Sequence, residues 1–265
     1  MATRIMRTPS ILSTGLCALA LVLTGCGGGE TKTEEGRSKA APASAATLRI
    51  DPATAATVTG KVTFTGEKPV RRPISMDSTP ACARAHTEPV LSEEAIVNDN
   101  GTLRNAFVWV KSGLPDGTWE VPREMVTIDQ VGCIYVPHVV GVQTNQEVQF
   151  LNSDPTNHNI HPLPRANREW NESQPPKGEP KIKTFPKQEI MIPIKCNVHP
   201  WMRVYVGVVD HPFFAVTGED GSFTLKGLPP GQYTVQAWHE KYGTQEIQVT
   251  VAAQESKTAD FDFKG

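Results

Sequence analysis

Seven residues, Cys196-Asn-Val-His199-Pro-Trp-Met202, place a thiol, an imidazole and a thioether on one short stretch of chain. A second imidazole stands 38 positions before Cys196, in the pair His158-Asn159. One soft thiolate, two imidazoles and a weakly held thioether are the donors of a trigonal His₂Cys copper site with a long axial Met. The C-x₂-H-x₂-M spacing suits one loop between two strands, with Cys196 leaving the first and Met202 entering the second. His158 must then come from a neighbouring strand end. Three donors on a tight loop and a fourth held by the sheet give a site whose geometry hardly depends on oxidation state. That suits electron transfer and leaves no open position for a substrate. A thiol nucleophile beside a base is the other reading of a Cys–His pair. It leaves Met202 and His158-Asn159 unexplained, and the chain has no G-x-S-x-G signature.

Three stretches lead up to this loop: Tyr135-Val-Pro-His-Val-Val-Gly-Val142, Gln146-Glu-Val-Gln-Phe-Leu-Asn152 and Asp154-Pro-Thr-Asn-His-Asn159. With them, residues 105–210 resemble the cupredoxins, the type 1 blue copper proteins of the amicyanin and plastocyanin kind. The contracted loop is most similar to the amicyanin pattern. The resemblance implies a Greek-key barrel or sandwich holding one copper ion, with His158, Cys196, His199 and Met202 as ligands. It gives Asn159 the role of tying the His turn to the Cys loop. His199, on an exposed loop, is then the electron exit, and Pro200 and Trp201 form an apolar rim where a redox partner docks. Packing of Trp201 into the C-terminal module is the alternative. A polar insertion over residues 165–183 departs from the family pattern. His161 falls three residues past His158, on the opposite face of an extended strand. His211 and His239 are expected at the surface or an interface.

The N-terminus carries Arg4 and Arg7, an apolar run from Ile11 to Leu23, and Leu23-Thr-Gly-Cys26. The run falls short of the roughly 20 residues that span a bilayer, so residues 1–25 read as a signal peptide. Leu-Thr-Gly-Cys resembles a bacterial lipobox. It implies cleavage before Cys26, lipidation of that thiol, and export to the cell envelope, with Gly27 favouring the outer membrane. Residues 26–56, rich in small and polar types, read as a flexible tether. Removing Arg4 and Arg7 takes the formal charge from −2 to −4. No basic patch points to nucleic acid.

Of the five cysteines, Cys17 leaves with the signal, Cys26 is assigned to lipid and Cys196 to the metal. Cys82 and Cys133 remain, and in an exported protein two spare cysteines are expected to pair. A second metal site using Cys82, His86 and His138 is the alternative.

Short alternating runs recur between turn residues, and 22 prolines with 21 glycines argue against long helices. The expected class is all-β. Residues 57–104 form an N-terminal β segment, opened by Val58-Thr-Gly-Lys-Val-Thr-Phe-Thr-Gly66. Residues 211–265, with Glu219-Asp-Gly-Ser222 and Leu228-Pro-Pro-Gly-Gln-Tyr233, resemble the carboxypeptidase regulatory-like, transthyretin-like β-sandwich module. The strand near 59–66 is similar to that module's opening strand. The copper domain is therefore expected to be inserted into, or packed against, a split sandwich. The combined reading is a membrane-anchored one-electron carrier without catalytic activity. A structural lipoprotein with a cupredoxin-like scaffold, and a copper carrier or chaperone, are the competing functions.

Overall fold

The computed structural model describes residues 46–265. The signal peptide, the Cys26 lipidation site and most of the expected tether lie outside the described residues. The tether was expected to run to residue 56, but regular structure starts earlier. Thr47–Leu48 already pairs in parallel with Thr118–Trp119. Asp51 then fastens the following turn, its carboxylate accepting from the Ala53 N–H and the Thr54 hydroxyl.

Nineteen strands and one four-residue helix, Pro80–Ala83, are the regular elements among the described residues. The fold is all-β, as the turn spacing and the proline content imply. Besides the two-stranded pairing of Thr47–Leu48 with Thr118–Trp119, the strands build two pairs of sheets, and none closes into a barrel. In the first pair, one sheet runs Glu172–Gln174, His158–Pro162, Glu189–Lys195, Arg203–Val209, Val139–Gln143. The other runs Lys181–Lys183, Val148–Asn152, Val126–Val131, Ile134–Val136. Ile128, Phe150, Ile160, Ile192, Val204 and Val206 from the two sheets share one core. The polar insertion supplies an edge strand to each sheet, so it completes this layer. Trp170 from the insertion sets its ring edge against Phe150.

In the second pair, Phe214–Val216, Phe107–Ser112, Gly231–His239 and Gly243–Val251 form one sheet, in that order. Ser222–Leu228, Ala56–Thr65 and Ser256–Thr258 form the other, and Phe261–Lys264 also pairs with Ala56–Thr65. The N-terminal and C-terminal strands thus fill a single core. Phe107–Ser112, counted with the copper domain in the sequence reading, pairs here with Phe214–Val216 and Gly231–His239. The domain edge expected at residue 105 therefore does not follow the sheets.

The period-2 alternation of Phe107–Ser112 explains how the two halves join. Val108 and Val110 point into the sandwich core, while Phe107 and Trp109 point the other way, onto Val139, Met191 and Val209. Gly141 and Gly207, register partners on adjacent strands, leave room for these rings. A Cβ at Gly207 would lie 2.6 Å from the Phe107 ring, and one at Gly141 2.4 Å from Phe214. Fully burying one such phenylalanine contributes about 1.5–3 kcal/mol, so the two glycines hold the halves together by what they lack.

Candidate metal centre

His158 opens the His158–Pro162 strand, Cys196 follows directly on Glu189–Lys195, and Met202 immediately precedes Arg203–Val209. The last two strands are antiparallel neighbours, so the sheet itself sets the width of the loop between them. Two backbone bonds close that loop, Cys196 N–H to Met202 O at 3.3 Å and Met202 N–H to His199 O at 3.0 Å. His158, Cys196 and His199 each present a donor atom, and the three atoms lie within 4.8 Å of one another. The two Nδ1 atoms of His158 and His199 are 2.9 Å apart, and Cys196 Sγ is 3.8 Å from His199 Nδ1. Met202 is buried in the same apolar cluster as Cys196. Asn159 spans the two loops: its N–H points at Cys196 Sγ at 3.5 Å, and its side-chain oxygen accepts from the Asn197 N–H.

The protonation preferences match a metal-ready pocket. Burial works against a Cys196 thiolate. The His158 ring and the Asn159, His199 and Val198 N–H groups outweigh it and hold the thiol below its ordinary pKa. Burial likewise disfavours a charged His158, but Asp154 and Cys196 raise its pKa. His199 is pushed down by burial and by repulsion from His158, which favours its neutral form, the form with a lone pair for a metal. A buried set of thiolate, two imidazoles and thioether is the donor chemistry that fits copper. The fit is one of residue types and placement.

Asp154 is the residue the sequence reading missed. Its carboxylate accepts from His158 Nε2 at 2.8 Å, from Gly132 N–H at 2.6 Å and from Cys133 N–H at 2.8 Å. A carboxylate on the far nitrogen of a ligating imidazole fixes its tautomer and ring orientation. The signal was the Asp-x₃-His spacing inside Asp154-Pro-Thr-Asn-His158, which has no strand or helix period to mark it. Gly132 and Cys133 both have positive φ, 66° and 55°, at the two-residue tip between Val126–Val131 and Ile134–Val136. That is the backbone of a tight hairpin turn, and Asp154 holds this tip against the site.

Cys82 and Cys133 are joined as a disulfide, and Cys196 is the free cysteine among the described residues. The bond lies where the resemblance implied open solvent. Cys82 Sγ is 3.6 Å from His199 Nε2, and Trp201 packs on the same imidazole with ring centroids 5.1 Å apart. The Trp201 N–H donates to Cys133 O at 2.9 Å. His199 is consequently 1% exposed, which corrects its expected role as an exposed exit. Pro200 is exposed and Trp201 half-buried. Trp201 packs on the core around the metal loop, rather than into the C-terminal module.

The alternative second site does not assemble. Cys82 is in the disulfide, His86 bonds Gly132 O at 2.7 Å, and His138 pairs with Glu240 at 2.5 Å. His161 bonds Asn197 and Glu169, away from the three donors. His211 and His239, expected at the surface or an interface, are buried at 6% and 1% exposure, because each lies between aromatic rings of the sandwich.

The carboxypeptidase regulatory-like domain model matches residues 202–264. The match begins inside the metal loop, so the Arg203–Val209 strand serves both the matched region and the sheet that carries the site. No curated protein matches the chain. Among solved structures, a copper-containing nitrite reductase from Thermus scotoductus is similar at 20% identity and TM-score 0.31, over 37% of this chain and 25% of that one. A purple cupredoxin from Nitrosopumilus maritimus is similar at 20% identity and TM-score 0.27, over 31% of this chain and 98% of that one. A reduced Cu(I) amicyanin variant is similar at 24% identity and TM-score 0.29, over 34% and 86%. The chain thus spans a quarter of the nitrite reductase's length, and the copper named is that of those proteins. This chain carries a carboxypeptidase regulatory-like match at residues 202–264, and its structural neighbours are cupredoxins.

Proposed function

We propose that the protein is a non-catalytic one-electron carrier built on a type 1 copper site. The observation that carries this reading is the convergence of buried His158, Cys196 and His199 donors within 4.8 Å of one another, with Met202 buried in the same cluster as Cys196. Copper, when bound, supplies a one-electron couple and an intense thiolate-to-metal absorption. The chain's own residues do the rest. Asp154 orients His158, the Asn159 bridge keeps the two loops in register, and the surrounding core excludes water. Low reorganisation on electron transfer is what such a rigid, dry pocket provides. With the His199 edge covered, Trp201 is the side chain that both touches His199 and reaches the surface, and Pro200 beside it forms the docking rim for a redox protein. The absorption spectrum of the copper-loaded protein lacking residues 1–26 tests the reading, since a carrier needs the visible band and a copper chaperone or a scaffold does not.

Met202 serves as the weak axial donor in this reading, tuning the potential. Met202→Leu retains copper and raises the reduction potential, because a hydrocarbon replaces the thioether. Voltammetry checks this, and an unchanged potential means Met202 is not a ligand.

The resemblance of Leu23-Thr-Gly-Cys26 to a lipobox supports a place for the carrier on a bacterial envelope membrane. No helix of the described residues is long and apolar enough to cross one, so attachment in this reading depends on the acyl chains of Cys26, two or more of which hold stably where one is marginal. Cys26→Ala yields uncleaved precursor or soluble protein on fractionation. Processed protein that still pellets with membranes contradicts the assignment.

A further inference from the structure

Three clusters of metal-capable side chains share members at one spot: His158, Cys196 and His199; Cys82, Cys133 and His199; and Cys133, Asp154 and His158. In each, the donor atoms lie within 4.8 Å of one another. The disulfide is therefore part of the wall of the first site. His199 faces both ways, with Nδ1 toward Cys196 at 3.8 Å and Nε2 toward Cys82 at 3.6 Å. All five cysteine and histidine side chains of these clusters are buried, at 0–1% exposure.

We propose that reduction of the Cys82–Cys133 disulfide creates a second, soft-metal site, in which the two thiolates and His199 Nε2 hold Cu(I). Two thiolates and an imidazole select a soft monovalent ion over hard cations that want oxygen ligands. The reductant is an external dithiol. Its thiolate attacks one sulfur, the S–S bond breaks, and the resulting mixed disulfide is resolved by the second thiol. The dithiol is oxidised to a disulfide, while the cystine takes two electrons and two protons to become two thiols. Cu(I) then displaces both thiol protons to solvent, and where Nδ1 already holds the first ion the His199 ring proton leaves as well, so that the imidazolate bridges the two. A surface cavity of about 440 Å³, lined by Ile74, Met76, Ala83, His86 and Val90, lies against the single-turn helix that carries Cys82. It supplies the approach, since a one-turn helix opens at little cost compared with a sheet. Oxidised, the disulfide closes the outer edge of His199. Reduced, the same sulfurs are a landing place for copper one imidazole away from Cys196.

This inference rests on the copper reading only for the occupant of the first site, and the test separates the two. Full-length protein carrying Cys17→Ala and Cys26→Ala is titrated with Cu(I) against bathocuproine, before and after treatment with a water-soluble phosphine. Phosphorus attacks the disulfide, water completes its conversion to the oxide, and both sulfurs are left as thiols. The oxidised chain binds one Cu(I) and the reduced chain two. Adding Cys82→Ser and Cys133→Ser returns the count to one. On a Cys196→Ser background the oxidised chain binds none and the reduced chain one, and adding His199→Gln there weakens this remaining ion at least about tenfold. Equal copper in the reduced and oxidised chains overturns the proposal. So does a tightly held second ion indifferent to His199, or loss of near-ultraviolet circular dichroism on reduction, which would mean the thiols bind copper in an unfolded chain. If the oxidised wild-type chain binds no copper, the type 1 reading falls, while the Cys196→Ser measurement still decides this one.

Discussion

Replacing Cys196 by serine abolishes the visible absorption of the copper-loaded protein. Only a thiolate gives the covalent bond to copper from which that band arises, and a serine hydroxyl in the same place does not ionise near neutral pH. The effect is all-or-none because no other described cysteine can substitute: Cys82 and Cys133 are bonded to each other. The fold survives, since sulfur and oxygen differ little in size and the loop is closed by the Cys196 and Met202 backbone rather than by the side chain. Some stability is lost, about 1 kcal/mol or more, because a small hydrophobe is exchanged for a hydroxyl in a buried pocket. Electronic absorption and thermal unfolding of the two proteins, measured together, check both halves. Wild-type protein loaded with Cu(II) that shows no band sinks the type 1 assignment. A variant that keeps the band means the chromophore lies elsewhere.

Acid is expected to unfold the sandwich half of the protein through two histidines. His211 and His239 are each pushed down to a pKa of about 4, first by burial. In both rings Nδ1 also accepts a backbone N–H, which a protonated nitrogen cannot do. His211 Nδ1 accepts from the Phe213 N–H at 3.2 Å while Nε2 reaches Val110 O at 2.8 Å. His239 Nδ1 accepts from the Lys241 N–H at 3.2 Å. In the unfolded chain the same groups titrate near the ordinary value of about 6.5. Between these two values the unfolded chain binds more protons than the folded one, so stability falls as pH falls. The contribution is intact above about pH 6.5 and is lost progressively toward pH 4, where each histidine costs about 3 kcal/mol. Against a total of roughly 5–15 kcal/mol for a domain, two such losses are decisive. Urea midpoints measured from pH 7 to pH 4 should drop steeply, and the double variant His211→Gln, His239→Gln should show a flatter profile. A wild-type midpoint that holds steady across that range refutes the account.

The asymmetry between what the chain shows in one dimension and in three follows from the range of the forces. Strand periodicity, turn residues and the Cys196–His199–Met202 spacing are local, so the all-β class, the donor spacing of the loop and the likeness of the tail to a carboxypeptidase regulatory-like domain could be read directly. The parity of Cys82 and Cys133 was legible because a disulfide is counted rather than located. Asp154 was not, because its partners Gly132, Cys133 and His158 come together only when a hairpin tip folds onto the turn before a distant strand. Nor could local spacing show that Phe107–Ser112 sides with the C-terminal strands, since an alternating strand pairs equally well with any apolar neighbour until both of its faces are covered. The exposure expected of His199, and a surface place for His211 and His239, failed for the same reason. Burial belongs to the packed surfaces around a side chain and not to its sequence neighbours. The candidate donors and their spacing were therefore legible in the sequence, while the tertiary structure decided that a disulfide and an indole lie against the outer imidazole.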